Sequence, residues 1–151
     1  MPEWLTTDRP MDDRVILKVG SKVLIPFILL FALYVQFHGE YGPGGGFQAG
    51  VIFAAAFVLY SLVFGLDQSL KAMPAKVAYV CGALGVAIYL GVGYLAMIMG
   101  GEFLNYSVLN EDPVKGQHYG IIGIEIGVLV TVFGVMLALF YAFAGRRRID
   151  P

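Results

Sequence analysis

The chain has 151 residues, 58% of them hydrophobic and only 14% charged, with a formal net charge of −1. A mean hydropathy of +0.76, with a charge content well below the roughly 25% of soluble domains, excludes an ordinary soluble globular domain. The near-neutral balance offers no footing for nucleic acid, and the single cysteine, Cys81, excludes an intramolecular disulfide and a Cys-x-x-Cys metal pair.

The N-terminal stretch MPEWLTTDRPMDDR is polar and mixed in charge, so it does not read as a secretory signal. Four apolar runs follow, each near the roughly 20 residues that cross a bilayer. The expected fold is all-α, a polytopic membrane protein of four transmembrane helices forming one domain over residues 1–151. The spans run approximately over 15–37, 47–66, 77–99 and 119–144. Lys18 and Lys22 stand on the first turns of the first span and can snorkel to the interface. Pro26 removes one backbone donor there, which neighbouring helices can offset. Cys81, inside the third span, reads as a small packing residue.

Charge sets the expected orientation. Arg9, Arg14, Lys18 and Lys22 come before or at the start of the first span. Lys71 and Lys76 lie between the second and third, and Arg146, Arg147 and Arg148 follow the fourth. Only Lys115 lies in the other two loops, so nine of the ten basic residues fall on one side. The positive-inside rule places both termini in the cytoplasm. The outer loops then hold Glu40, Glu102, Glu111, Asp112 and both histidines, His38 and His118.

Small residues line the last two spans: Gly82, Gly85, Gly91 and Gly93 in the third, and Gly120, Gly123, Gly127 and Gly134 in the fourth. In lipid, helices associate through close contact between such residues, and Gly123-x-x-x-Gly127 is a pair of that kind. The four helices are expected to form a thin bundle packed within the chain, with surface left for other subunits.

The first outer loop, HGEYGPGGGFQAG, has six glycines in thirteen residues. A glycine-rich loop opening a helix suggests phosphate binding. No Gly-Lys-Ser/Thr follows, however, and Phe47 stands where G-x-G-x-x-G requires its last glycine. Both motifs also need a preceding strand, and the loop faces away from the cytoplasm. The remaining reading is a tight hairpin, in which glycine supplies positive φ angles and Pro43 a fixed one.

From Pro43 to Tyr60, PGGGFQAGVIFAAAFVLY, the chain resembles the MnhB-like subunits of the Mrp-type multisubunit monovalent cation/proton antiporters. The shared features are a histidine ending the first helix, Pro43-Gly44-Gly45-Gly46-Phe47 with Gly50 three residues on, and an alanine-rich second helix. The length and the four spans fit as well. In the family pattern the histidine stands closer to the proline; here Gly39, Glu40, Tyr41 and Gly42 intervene. The resemblance implies a component of a large hetero-oligomer in the bacterial cell (inner) membrane. That assembly would exchange sodium or another monovalent cation for protons, and this chain would have no catalytic residues and no cofactor. Its partners would be the other membrane subunits, the lipid bilayer and, along the route, the cation and H+.

One residue stands out apart from any family. Glu125 is the only acid well inside a span, and an intramembrane carboxylate is a functional hypothesis by default. Counted from Tyr119 at 1.5 Å per residue, it sits on the order of 9 Å along the helix. His118 is seven residues earlier on nearly the same face, Glu102 ends the third span, and His38 and Glu40 share the outer side. The ion-pathway candidates are therefore Glu125, Glu102, His118 and His38. Carboxylates suit a hard cation, and a desolvated one can titrate near neutral pH. The alternative for Glu125 is a protonated or hydrogen-bonded structural role. Two histidines on the outer side cannot form a haem pair between helices, and the sequence holds no nucleophile–base constellation and no metal-ligand set.

Three functions compete. The first is a non-catalytic subunit of a Na+(monovalent cation)/H+ antiporter, supporting assembly and lining part of the cation route. The second is a small membrane subunit of a redox-driven complex such as a membrane-bound hydrogenase or complex-I-like ion pump. The third is a stand-alone four-helix channel or carrier.

Overall fold

The computed structural model describes residues 11–39 and 42–146, the first four of them by backbone alone. Glu40 and Tyr41, together with Arg9, Arg147 and Arg148, lie outside the described residues. The described chain is helical: α1 Met11–His38, α2 Gly46–Phe64, α3 Leu66–Ala72, α4 Ala75–Ile98, a short 3-10 turn Tyr106–Leu109, and α5 Pro113–Arg146. Four of these, Val15–His38 within α1 and the whole of α2, α4 and α5, are long and apolar enough to cross a membrane.

The helix bounds differ from the hydropathy runs where local chemistry takes over. The last helix begins at Pro113, six residues before the apolar run, because Asp112 caps it. The Asp112 carboxylate accepts a hydrogen bond from the Val114 amide at 3.0 Å. Proline suits the first helical position, where no intrahelical donor is needed. At 34 residues, α5 is about 51 Å long at 1.5 Å per residue, so its first turns project beyond a hydrocarbon core of about 30 Å. The second span ends at Phe64 because Gly65 turns the chain with φ 95°. The amphipathic α3 follows at once, and Ser69 in it, fully buried, shares a 3.0 Å hydrogen bond with the Tyr141 hydroxyl of α5.

The thin bundle expected from the sequence takes the form of a row of spanning helices. α4 packs on α5, α5 on α2, and α2 on α1, while α1 touches α5 only slightly. The reason lies in α5, which meets α4 through its own glycines and meets α2 through larger side chains set against the small residues of α2. Toward α4, a Cβ on Gly134 would lie 2.5 Å from the Ala78 carbonyl oxygen, and one on Gly127 would lie 2.9 Å from that of Gly85. These are backbone-to-backbone contacts of the kind that drive association in lipid. Gly123, the other half of the expected pair, faces the Val92 side chain instead.

Toward α2, the apolar centre is formed by Phe53 and Phe57 against Phe133, with ring centroids 6.2 and 5.4 Å apart. Ala54, Leu137 and Tyr141 complete it. A row leaves both of its faces open: no more than 33% of any span's most apolar window is buried inside the chain. Lipid or other chains must cover the rest.

Candidate functional site: the glycine turn over Glu125

The loop between α1 and α2 folds straight back onto the end of α1. The Gly42 amide donates to the His38 carbonyl at 3.1 Å, and the Gly45 amide donates to the Val35 carbonyl at 3.1 Å. A Cβ on Gly39 would lie 2.6 Å from the backbone of Gly45, and one on Gly44 would lie 2.7 Å from the Val35 oxygen. Gly45 itself has φ 115°, a left-handed conformation that disfavours any side chain. At Gly39 and Gly44, therefore, backbone packs on backbone.

Across this turn stands Glu125. Its Oε1 would be 3.2 Å from a Cβ placed on Gly45, and a Cβ on Gly46 would collide with its backbone carbonyl oxygen. One helical turn further along, Gly50 meets Leu129 and Val132 in the same way. The glycine motif and the intramembrane acid, nearly eighty residues apart in sequence, are thus one structural unit. Gly45 is the N-cap of α2 and gives that helix no side-chain cap. The Glu125 carboxylate consequently lies beside a helix N-terminus, where unpaired amides and the helix dipole favour negative charge.

The other candidates take different positions. His38 stacks on Tyr34, with ring centroids 5.2 Å apart, and its Nε2 would be 2.9 Å from a Cβ on Gly42. It therefore flanks the outer side of the glycine turn. His118 is seven residues before Glu125 on α5, about 10 Å nearer the helix start, with its ring 5.9 Å from that of Tyr119. Glu102 is exposed, and its carbonyl accepts from the Asn105 amide at 2.9 Å. Because Val92 on α4 is level with Gly123, Glu102 stands ten residues beyond, in the α4–α5 loop and away from Glu125. Among the described residues, no group of three or more His, Cys, Asp or Glu side chains could hold a metal ion.

Two features escaped the sequence. Gln36, on the face of α1 turned to α2, is only 3% exposed, and its Oε1 has no hydrogen-bond partner among the described residues. Its one sequence signal is a lone amide inside an otherwise apolar run. Tyr106, in the 3-10 turn, lays its ring on Gly120, and its carbonyl oxygen would be 2.5 Å from a Cβ on Gly116. The α4–α5 loop is thereby pinned to the projecting start of α5. Burial, followed by the neighbouring Tyr89, raises the Tyr106 phenol above its ordinary value, so it stays uncharged at physiological pH.

Four helices long and apolar enough to span a membrane, set in a row, describe a multi-pass membrane protein. The family model described as "Domain related to MnhB subunit of Na+/H+ antiporter" matches residues 16–138, and the chain belongs to that family. Proteins named "Putative antiporter subunit mnhB2" from Staphylococcus aureus strains Newman, JH1 and USA300 are each 33% identical to it over 141 residues. The alignment covers 90% of this chain and 98% of each relative.

Proposed function

We propose that this chain is a non-catalytic membrane subunit of a monovalent cation/proton antiporter, working as one MnhB-like domain over residues 1–151 with both termini cytoplasmic. In support of that orientation, Lys18, Lys22, Lys71, Lys76 and Arg146 gather at the α3 end of the row, and Lys115 is alone at the other. The relatives' name supports the antiporter reading.

The observation that carries a direct part in ion movement is the seat of Glu125 against Gly45 and Gly46. In any membrane protein, an acid that far inside a span is a candidate for a proton or cation relay. Here it also rests at the start of α2, where a helix end offers positive potential to its ionised form. Glu125 therefore exchanges a proton, or passes a cation, between the outer side and the neighbouring subunits. His38 on the near side of the turn, and His118 and Glu102 toward the rim, mark the outward approach to it.

The test is Glu125→Gln in the assembled complex, assayed for sodium- and potassium-dependent proton exchange in inside-out vesicles. The expected result is normal complex yield with exchange reduced at least tenfold. Unchanged exchange across the pH range, with normal assembly, would leave Glu125 a purely structural residue.

A further inference from the structure

At the α3 end, the start of α1 and the end of α2 flank a cleft of about 500 Å³ lined by Leu17, Lys18, Leu62, Val63, Phe64 and Gly65. Its mouth is open at Gly65, where a side chain would meet nothing within 4 Å. Its rim is basic. Lys18 and Lys22 are one turn apart on the same face of α1, and the Lys22 ammonium lies 5.9 Å from the centre of the Phe64 ring. The acid nearest in sequence to this mouth is Asp67, two residues beyond Gly65 in the first turn of α3.

A second hollow lies further along the same two helices. Ile25 and Leu29 continue the face that carries Lys18 and Lys22, with spacings of three and four residues. On α2, Tyr60 and Phe57 continue from Phe64 in the same way, and the Tyr60 and Phe64 rings are 4.8 Å apart. These four residues, with Ala56 and with Ala72 of α3, line this second hollow, of about 210 Å³. A basic mouth at the level where the spans begin and an apolar hollow further along the same two helices thus lie on one stripe.

Head-and-tail patterning of this kind matches one ligand class. We propose that the cleft binds an anionic phospholipid, its phosphodiester between Lys18 and Lys22 and an acyl chain along Ile25, Leu29, Phe57 and Tyr60. Charge complementarity selects the headgroup: a lysine close to an anionic lipid surface is worth about a factor of five in binding. The apolar hollow selects a tethered chain over a free anion. This site is separate from the Glu125 seat, at the opposite end of α2, and does not depend on how that residue acts.

The experiment uses the full complex, with Leu62 replaced by a benzophenone-bearing side chain, in vesicles of equal parts phosphatidylglycerol and phosphatidylcholine. Leu62 lines the cleft and is 72% exposed, so the photoadduct reports the occupant. We expect adducts chiefly to phosphatidylglycerol, with the preference falling about fivefold in Lys18→Gln or Lys22→Gln and about twenty-fivefold in the double variant. Lys18→Arg with Lys22→Arg should keep the preference, which separates charge from any effect on assembly. Equal adducts to both lipids, a preference unaltered by the double glutamine variant, an adduct to a neighbouring subunit, or no adduct at all would overturn the proposal.

Discussion

The backbone carbonyl of Glu125 occupies the space that a side chain on Gly46 would need. The first turn of α2 thus rests directly on the middle of α5, and no other residue type fits between them. This contact joins the glycine turn to the intramembrane acid and sets how deep α2 begins. Counted from Pro113, Glu125 is about 18 Å along α5 at 1.5 Å per residue, so α2 starts well inside the N-terminal end of its neighbour.

Gly46→Ala therefore separates α2 from α5. Overpacking of this kind costs about 1–3 kcal/mol, and the complex should be recovered in lower yield and melt at lower temperature. Gly91→Ala is the control, because a side chain there meets nothing within 4 Å. Equal yields of the two variants, measured by subunit co-purification, would contradict the packing.

Between α4 and α5 the same reasoning applies to Gly85, whose Cβ would collide with the Thr131 hydroxyl and with backbone of α5. Gly85→Leu should detach α4 and release the α4–α5 loop to protease. Gly82→Ala should be tolerated, since its nearest neighbour is the Val135 side chain at 3.4 Å. Limited proteolysis of the 99–112 loop in membranes distinguishes the two.

The Ser69–Tyr141 bond, at 3.0 Å and buried, anchors α3 to the last helix. Ser69→Ala and Tyr141→Phe should each cost about 1 kcal/mol. The double variant should cost less than the sum, because both remove one shared interaction. Full additivity in denaturation of the detergent-solubilised chain would show that the bond contributes nothing.

Gln36 carries a buried amide oxygen without a donor among the described residues. A buried acceptor left unpaired costs about 1–3 kcal/mol, and an apolar residue of the same shape removes that cost. Gln36→Met should hold or raise the melting temperature of the chain. A fall in complex yield with an unchanged melting temperature would reveal a donor supplied by a neighbouring subunit.

Tyr106 seals the α4–α5 loop against Gly116 and Gly120. Its raised phenol pKa means that the folded state binds the neutral form more tightly than the ionised one. The seal is therefore fully present below the ordinary tyrosine value of about 10 and weakens as pH rises through the raised one. Tyr106→Phe should keep the loop protected and remove this alkaline sensitivity, whereas Tyr106→Ala should expose it at every pH. Amide hydrogen exchange over residues 104–120 as a function of pH is the measurement.

Much of this protein was legible in its residues. The four spans follow from hydropathy because a bilayer demands long apolar helices with satisfied backbones. Their expected and observed limits differ by a few residues, and at Asp112–Pro113 and Gly65 a cap or a turn sets the difference. The Pro43–Phe47 motif was enough for the family, because a backbone-packed turn tolerates so few residue types.

Three things were decided only by the tertiary structure. The order of the helices, α4, α5, α2, α1, depends on which small residues face each other, and sequence spacing cannot say which faces meet. The depth of α2 depends on a contact between Gly46 and Glu125 that is nearly eighty residues long in sequence. The cleft beside Lys18 and Lys22 exists because Leu17 and Lys18 of α1 come opposite Leu62, Val63 and Phe64 of α2, more than forty residues on in sequence. In each case the local chemistry was visible in the chain, but its meaning came from a partner that proximity in sequence does not supply.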